Sequence, residues 1–151
     1  MSADIFYGYA DERYARRYAK AVVSARAEGR IGTARELADV IVRSTPHRPG
    51  PPSRIHPATK VFQALRIAVN DELGALNEFI TDAVAILAAQ GRLAIISFHS
   101  IEDRIVKHRF RALAEQGTVA LITKRPIIPS DEECKTNHRS RSAKLRIIQK
   151  Y

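Results

Sequence analysis

The sequence predicts an α/β protein with a helical N-terminal half and a C-terminal half that alternates helix and strand. Three observations carry this. Apolar residues recur at helical spacing through residues 11–28 and again from 57 to 89. Residues 92–98 instead form a flat, β-rich apolar run, as in a strand covered on both faces. Finally, Gly29, Gly91, Gly117 and a proline-rich tract at 45–54 punctuate the chain where periodicity breaks.

Residues 11–28 read as a helix because Tyr14, Tyr18, Val22 and Ala25 recur on one side, with Ala15 and Ala19 alongside. Arg13, Arg17 and Lys20 gather opposite, with Arg16 nearby. This basic stripe is either a solvated face or one that contacts phosphates. Thr33 and Glu36 match a capping box, which starts a short helix through Leu37, Val40 and Ile41. TPHRPGPPSR, residues 45–54, denies helix and strand hydrogen bonding. It reads as a basic loop with Arg43, His47, Arg48 and Arg54 on or beside it.

His56 and Pro57 open the next helix, since a first-turn proline loses no hydrogen bond there. Phe62, Leu65, Val69, Leu73 and Leu76 form its apolar stripe. Gln63, Arg66 and Asn70 line the stripe's edge, either as a buried network between helices or, with His56, as the polar wall of a cleft. A helix over 75–89 stops at Gln90-Gly91, and the strand 92–98 follows. Ser100 then reads as an N-cap with Asp103 as its reciprocal partner, and the new helix runs to about Glu115. Residues 119–123 form a short strand, KRPIIPS a turn-rich connection and Ser130 to Glu133 a second capping box. In the last strand, 143–149, Leu145 and Ile147 alternate against an outer face of Lys144 and Arg146. Three strands make only the last part of an open α/β sheet, which normally has five or more.

The 151 residues fit one ordinary domain, or a compact core with a helical appendage. With 25 Lys and Arg against 16 Asp and Glu the formal charge is +9, the signature of a chain that meets a polyanion or carries a solvated basic surface. The longest apolar run, residues 93–98, is far short of a membrane span. MSADIFYGYADER has no signal-peptide core, so a cytoplasmic location is expected, and the single Cys134 agrees with a reducing compartment. Neither G-x-S-x-G nor G-x-G-x-x-G occurs, which removes support for a hydrolase elbow and an independent dinucleotide site. Cys134 and His138 stand four apart but lack further ligands, so no metal site is expected. In the tail NHRSRSAKLR, residues 137–146, Arg139 and Arg141 suit phosphate oxygens.

HPATKVFQALRIAVNDEL (56–73), GRLAIISFHSIEDRIVK (91–107) and RSRSAKLR (139–146) resemble the MraW/RsmH family, as do YADERYARRYAKAV and TARELADVI upstream. Members are S-adenosylmethionine-dependent methyltransferases that modify N4 of a cytosine in the decoding region of small-subunit (16S) ribosomal RNA. The resemblance implies a Rossmann-like class I methyltransferase core with an inserted helical domain. Residues 1–75 would be the insert, on the substrate and RNA side, and 76–151 the C-terminal portion of the core with about three strands. It covers only the C-terminal half of such an enzyme. The Gly-rich loop and the acidic residue for the cofactor ribose belong to the other half, so no cofactor-binding residue carries over and the chain is expected to be inactive alone.

The partners implied are small-subunit rRNA and the small ribosomal subunit, with an N-terminal half on another chain or self-association through the strand 92–98. Because reacting groups gather at the carboxyl ends of strands, Ser97, His99 and Ser100 are expected on the substrate side, with Ser97 and His99 in the wall facing the cytosine or the cofactor. Ser100 would mainly cap the helix, and Glu102, Asp103 and Arg104 would pair with neighbouring elements. RNA contacts fall to Arg13, Arg17, Lys20, Arg48, Arg54, Arg139 and Arg141. Three departures from the family pattern are Lys60 for arginine, Ile101 for leucine and His138 for proline, the last expected to loosen the turn before Arg139. The competing function is an rRNA-binding module without catalysis.

Overall fold

The computed structural model describes residues 2–47 and 55–151, which places Arg48 and Arg54 outside the described residues. The chain divides into two compact units, Met1–Glu72 and Leu73–Tyr151.

The first unit comprises α1 (Ser2–Gly8), α2 (Ala15–Glu28), α3 (Ala34–Ser44) and α4 (Thr59–Asn70). Its core joins Phe6, Ala15, Tyr18, Ala19, Ile41, Val61 and Ala64, so the tyrosine and alanine side of α2 is the buried one, as its spacing predicts. Helix α2 begins at Ala15 rather than 11, because Asp11 adopts a left-handed conformation (φ 45°) and the Glu12 carboxylate accepts the Tyr14 N–H at 2.9 Å. Arg13 therefore precedes the helix. The Thr33 capping box forms in both directions, with Glu36 N–H donating to Thr33 Oγ1 and Thr33 N–H to Glu36 Oε2, each at 3.2 Å.

In α4 the expected apolar stripe is displaced. The buried positions are Val61, Ala64 and Ile67, whereas Val69 is 81% exposed. Ala58 and Ala64 are small enough to let α4 approach the rest of the core closely, and Phe62 and Leu65 pack at its margin. The stripe also ends early. Asp71 (φ 48°) turns the chain left-handed, so Leu73 and Leu76 belong to the next helix.

The second unit comprises α5 (Glu72–Ile86), β1 (Arg92–Ser97), α6 (Ser100–Glu115), β2 (Val119–Leu121), α7 (Asp131–Thr136), a 3-10 turn His138–Ser142 and β3 (Lys144–Lys150). Helix α5 stops short of the expected Ala89. Lys150 Nζ donates to the carbonyls of Val84, Ala85 and Leu87 at 3.0, 3.2 and 2.8 Å, a tertiary cap on the negative helix end. The sheet order is β1-β3-β2, and both ladders are antiparallel. An open α/β sheet is mostly parallel. Here only β1 and β2, joined through α6, run in the same direction, with β3 between them.

One face of this sheet is covered. Ile80 and Val84 of α5, Val106 and Phe110 of α6, Val119 of β2 and Ile148 of β3 form a single buried cluster. Register places Leu93, Ile95, Arg146 and Ile148 on this face and Ala94, Ile96, Leu145 and Ile147 on the other. The expected phase of β3 is thus inverted. Arg146 and Ile148 are buried, and Leu145 and Ile147 are not. Strand β1 is likewise covered on one face only, with Ile96 56% exposed.

Backbone bonding fixes which edge of β1 is open. Leu145 and Ile147 bond towards Ile127 and Ile122, so the alternate residues Lys144, Arg146 and Ile148 face β1 and are met by Ser97, Ile95 and Leu93. The backbone groups of Ala94 and Ile96 point to the outer side, where no described strand lies.

Arg146 is buried because Asp103 of α6 lies opposite it. Arg146 Nε donates to Asp103 Oδ1 at 2.7 Å and Nη2 to Oδ2 at 3.2 Å, while Lys144 Nζ reaches Oδ2 at 3.3 Å. Burial alone would raise the Asp103 pKa, but the hydrogen bonds and charge of Arg146, and then of Lys144, outweigh it and hold the carboxyl below its ordinary value. A depressed folded-state pKa stabilises the fold above the unfolded value, near ~3.9, and this contribution is lost as pH falls through the lower folded value. Asp103→Asn strands a buried guanidinium and is expected to cost about 3–5 kcal/mol in urea unfolding at pH 7. The variant should also lose the acid-dependent part of the stability curve that Asp103 supplies. An unchanged midpoint and unchanged acid limb would contradict this role.

Candidate functional site

The end of β1 and the start of α6 hold the residues that sequence reasoning placed on the substrate side. Ser97 is buried, and its hydroxyl lies 3.4 Å from the Lys144 carbonyl, where it donates across to β3. The cap of α6 is His99, one residue earlier than expected. Its backbone is extended (φ −138°, ψ 163°) and its Nδ1 accepts the Glu102 N–H at 3.3 Å. Glu102, not Asp103, is the reciprocal partner, because its Oε2 accepts the Phe98 N–H at 3.0 Å. Ser100 is left as an exposed first helical residue.

This cap has a chemical consequence. With Nδ1 committed as an acceptor, the neutral imidazole of His99 carries its proton on Nε2. Glu102 Oε1 lies 3.3 Å from Nε2, out of hydrogen-bonding alignment, so Nε2 has no hydrogen-bond partner among the described residues. The strand end therefore holds an oriented but buried N–H donor next to a carboxylate.

Downstream, Ser130 caps α7 by accepting the Glu133 N–H at 3.1 Å. In the 3-10 turn, Asn137 Oδ1 accepts the Arg139 N–H at 3.3 Å and the buried Ser140 donates to the Asn137 carbonyl at 2.8 Å. His138 does not loosen this turn. Its Nδ1 lies 2.9 Å from the Cys134 carbonyl and ties the turn to α7, a bond that proline has no donor to make. Arg139 and Arg141 are both exposed, but at three residues per turn side chains two apart diverge by about 120°. They present two separate guanidinium groups rather than one fork.

The remaining candidates lie in the first unit. Arg17 and Lys20 are exposed on α2, and the Arg13 guanidinium sits 5.9 Å from the Tyr14 ring centroid. His56 Nδ1 accepts the Ala58 N–H at 3.2 Å and so shapes the entry to α4. Gln63 is half-buried. Arg66 forks onto Glu72 at 2.7 and 3.0 Å, and Asn70 reaches Glu72 Oε1 at 3.4 Å. Arg66 and Asn70 are thus joined through Glu72, without Gln63, and at the surface rather than in a buried seam: the Arg66 side chain is 57% exposed.

Two features escaped sequence reasoning. The first is the partner of Asp103: pairing with a neighbouring element was expected, but not that Arg146 of β3 is buried to make it, although Asp103 sits on the same helical stripe as Val106 and Phe110. A carboxylate on an apolar stripe demands a buried cation, and that was the available signal. The second is a shallow cleft of about 210 Å³ lined by Lys107, Phe110, Arg111, Leu121, Thr123, Lys124 and Arg146. Its cations come from two stretches separated in sequence, so no local motif announces it.

Comparison with known proteins gives the lineage. The ribosomal RNA small subunit methyltransferase H of Acaryochloris marina is 51% identical over 148 residues, which is 98% of this chain and 48% of that protein. Proteins of the same name from Leptospira borgpetersenii and Anaplasma marginale are each 47% identical over 97% of this chain, covering 46% and 49% of their own lengths. The chain therefore spans about half the length of the curated relatives it matches. The model of the MraW methylase family matches residues 2–151, both compact units included. Since that match takes in the His99 cap, the Asp103–Arg146 pair and the arginine turn together, the chain belongs to the MraW methylase family.

Proposed function

We propose that this chain is the C-terminal portion of an S-adenosylmethionine-dependent methyltransferase acting on N4 of a decoding-region cytosine in small-subunit ribosomal RNA, and that alone it is inactive. The family match over residues 2–151, with relatives named ribosomal RNA small subunit methyltransferase H, carries this reading. Residues 1–75 are the inserted domain on the RNA side and 76–151 the end of a Rossmann-like core. The parallel run of β1 and β2 through α6 supports that assignment.

Methyl transfer to an amine conjugated with a ring depends on alignment, because the nucleophile is weak. His99 and Ser97 form part of the wall facing the cytosine or the cofactor, the His99 ring fixed by its cap and Ser97 tied to β3. Arg13, Arg17, Lys20, Arg139 and Arg141 hold the RNA backbone.

S-adenosylmethionine would supply the methyl group, but the described residues do not fit it. No described glycine stands between a strand and the helix after it: Gly91 precedes β1 and Gly117 follows α6. The open outer edge of β1 and the apolar face of Ala94, Ile96, Leu145 and Ile147 are where the remaining half of the family polypeptide docks, or a second copy in its absence. A cytoplasmic site of action follows from the RNA substrate, and no helix among the described residues is long and apolar enough to cross a membrane. A second reading, an rRNA-binding module without catalysis, is favoured by the half-length span.

Calorimetric titration of this chain with S-adenosylmethionine is expected to give no submicromolar binding; tight binding would contradict the missing donor site. Sedimentation at rising concentration should reveal self-association that Ile96→Lys reduces, whereas a monomer at every concentration would remove β1 as a docking edge. In a full-length relative, alanine at the position of His99 should lower methylation at least tenfold. Asparagine there, which restores the cap, should recover stability, worth about 1 kcal/mol, but not activity. Unchanged turnover and RNA affinity would take His99 out of the site.

A further inference from the structure

The cleft between α6 and the segment after β2 concentrates positive charge that is only partly compensated. Lys107 and Arg111, one helical turn apart on α6, form one wall, and Thr123 and Lys124 form the other. Phe110 and Leu121 add apolar lining, and the buried Arg146 also borders the cleft. Of these four cations only Arg146 is neutralised, by Asp103. No described carboxylate lies within ion-pair distance of Lys107, Arg111 or Lys124, and no described acceptor takes their donors. Like charges converging on one opening repel each other and favour a bound counter-anion.

The hydrogen-bonding inventory narrows the ligand. Thr123 Oγ1 is occupied, accepting the Ile147 N–H at 2.9 Å and lying 3.5 Å from the Ile147 carbonyl. The side-chain groups left unpaired in the cleft are two ammonium groups and a guanidinium, all donors, so they suit a ligand rich in acceptors. The cleft is shallow and open to solvent, so it receives a small group at its mouth rather than enclosing a nucleobase. A tetrahedral oxyanion seated at the mouth satisfies both limits, with its oxygens reaching the three cations.

We propose that Lys107, Arg111 and Lys124 form a phosphate-binding cleft that seats one backbone phosphate of bound RNA. The choice of RNA over free phosphate rests on the rRNA reading above. None of these three residues lies in the strand-end or arginine-turn sites.

The test uses the full chain and a Lys107→Gln/Lys124→Gln double variant, with Arg111→Gln as a second variant should the first fail to fold. Amide NMR of the labelled chain is titrated with inorganic phosphate. Saturable shifts are expected at Thr123, Lys124 and residues 107–111, and they should vanish in the variant. Their absence in the parent would overturn the site. Fluorescence anisotropy with a labelled single-stranded RNA is then measured across salt concentrations. The variant should bind about five- to tenfold more weakly, with a salt slope lower by about one. A parent that binds RNA alongside a variant of equal affinity and slope would overturn this proposal and leave the rRNA reading intact. Phosphate shifts in a parent that binds no RNA would overturn the RNA assignment and identify a free-phosphate site.

Discussion

Asp103 and Arg146 meet across the helix–sheet interface of the second unit at 2.7 and 3.2 Å, and most of what surrounds them follows from that contact. Among the described strands β3 alone pairs with both others, so its facing decides the facing of the sheet. By burying Arg146 rather than Leu145, the pair sets which residues of β1 and β2 lie under α5 and α6. Such a pair contributes little net stability compared with apolar residues of the same volume, because both charges lose their hydration. Its effect is on register. A one-residue slip of β3 would bury Leu145 and Ile147 and leave Asp103 charged against an apolar strand, at a cost of several kcal/mol.

The same choice leaves the opposite face apolar and open. Ala94, Ile96, Leu145 and Ile147 line it, and beside it Ala94 and Ile96 offer an unpaired strand edge. In a self-sufficient sheet such an edge is usually blunted by charge, proline or a bulge. Here it is a regular run of apolar residues, which suits a chain that spans about half the length of its curated relatives. Within the second unit, exposed positive charge is carried by the arginine turn and by the cleft that Lys107, Arg111 and Lys124 line.

At the strand end, His99 illustrates how one side chain serves structure and chemistry together. Its Nδ1 completes the first turn of α6, and that commitment orients Nε2. Sequence reasoning found the cluster and its position at a strand terminus but assigned the cap to Ser100, since serine is the commoner capping residue. The phase of the helix start is decided by Glu102, whose carboxylate returns to the Phe98 N–H and fixes where the first turn closes.

Local signals in the sequence determined the α2 core face, the Thr33 capping box, the strand at 92–98, the helix after it and the family, because each depends on residues within a few positions of one another. Tertiary structure decided the rest. Both phases of β3 contain apolar residues, so only the buried Asp103 on another element selects between them. The buried face of α4 is chosen by the small residues that admit its neighbours, and the end of α5 by a lysine 64 residues after Ile86 in the chain. The cationic cleft depends on α6 and the β2 segment packing side by side, a coincidence of surfaces that no stretch of sequence encodes by itself.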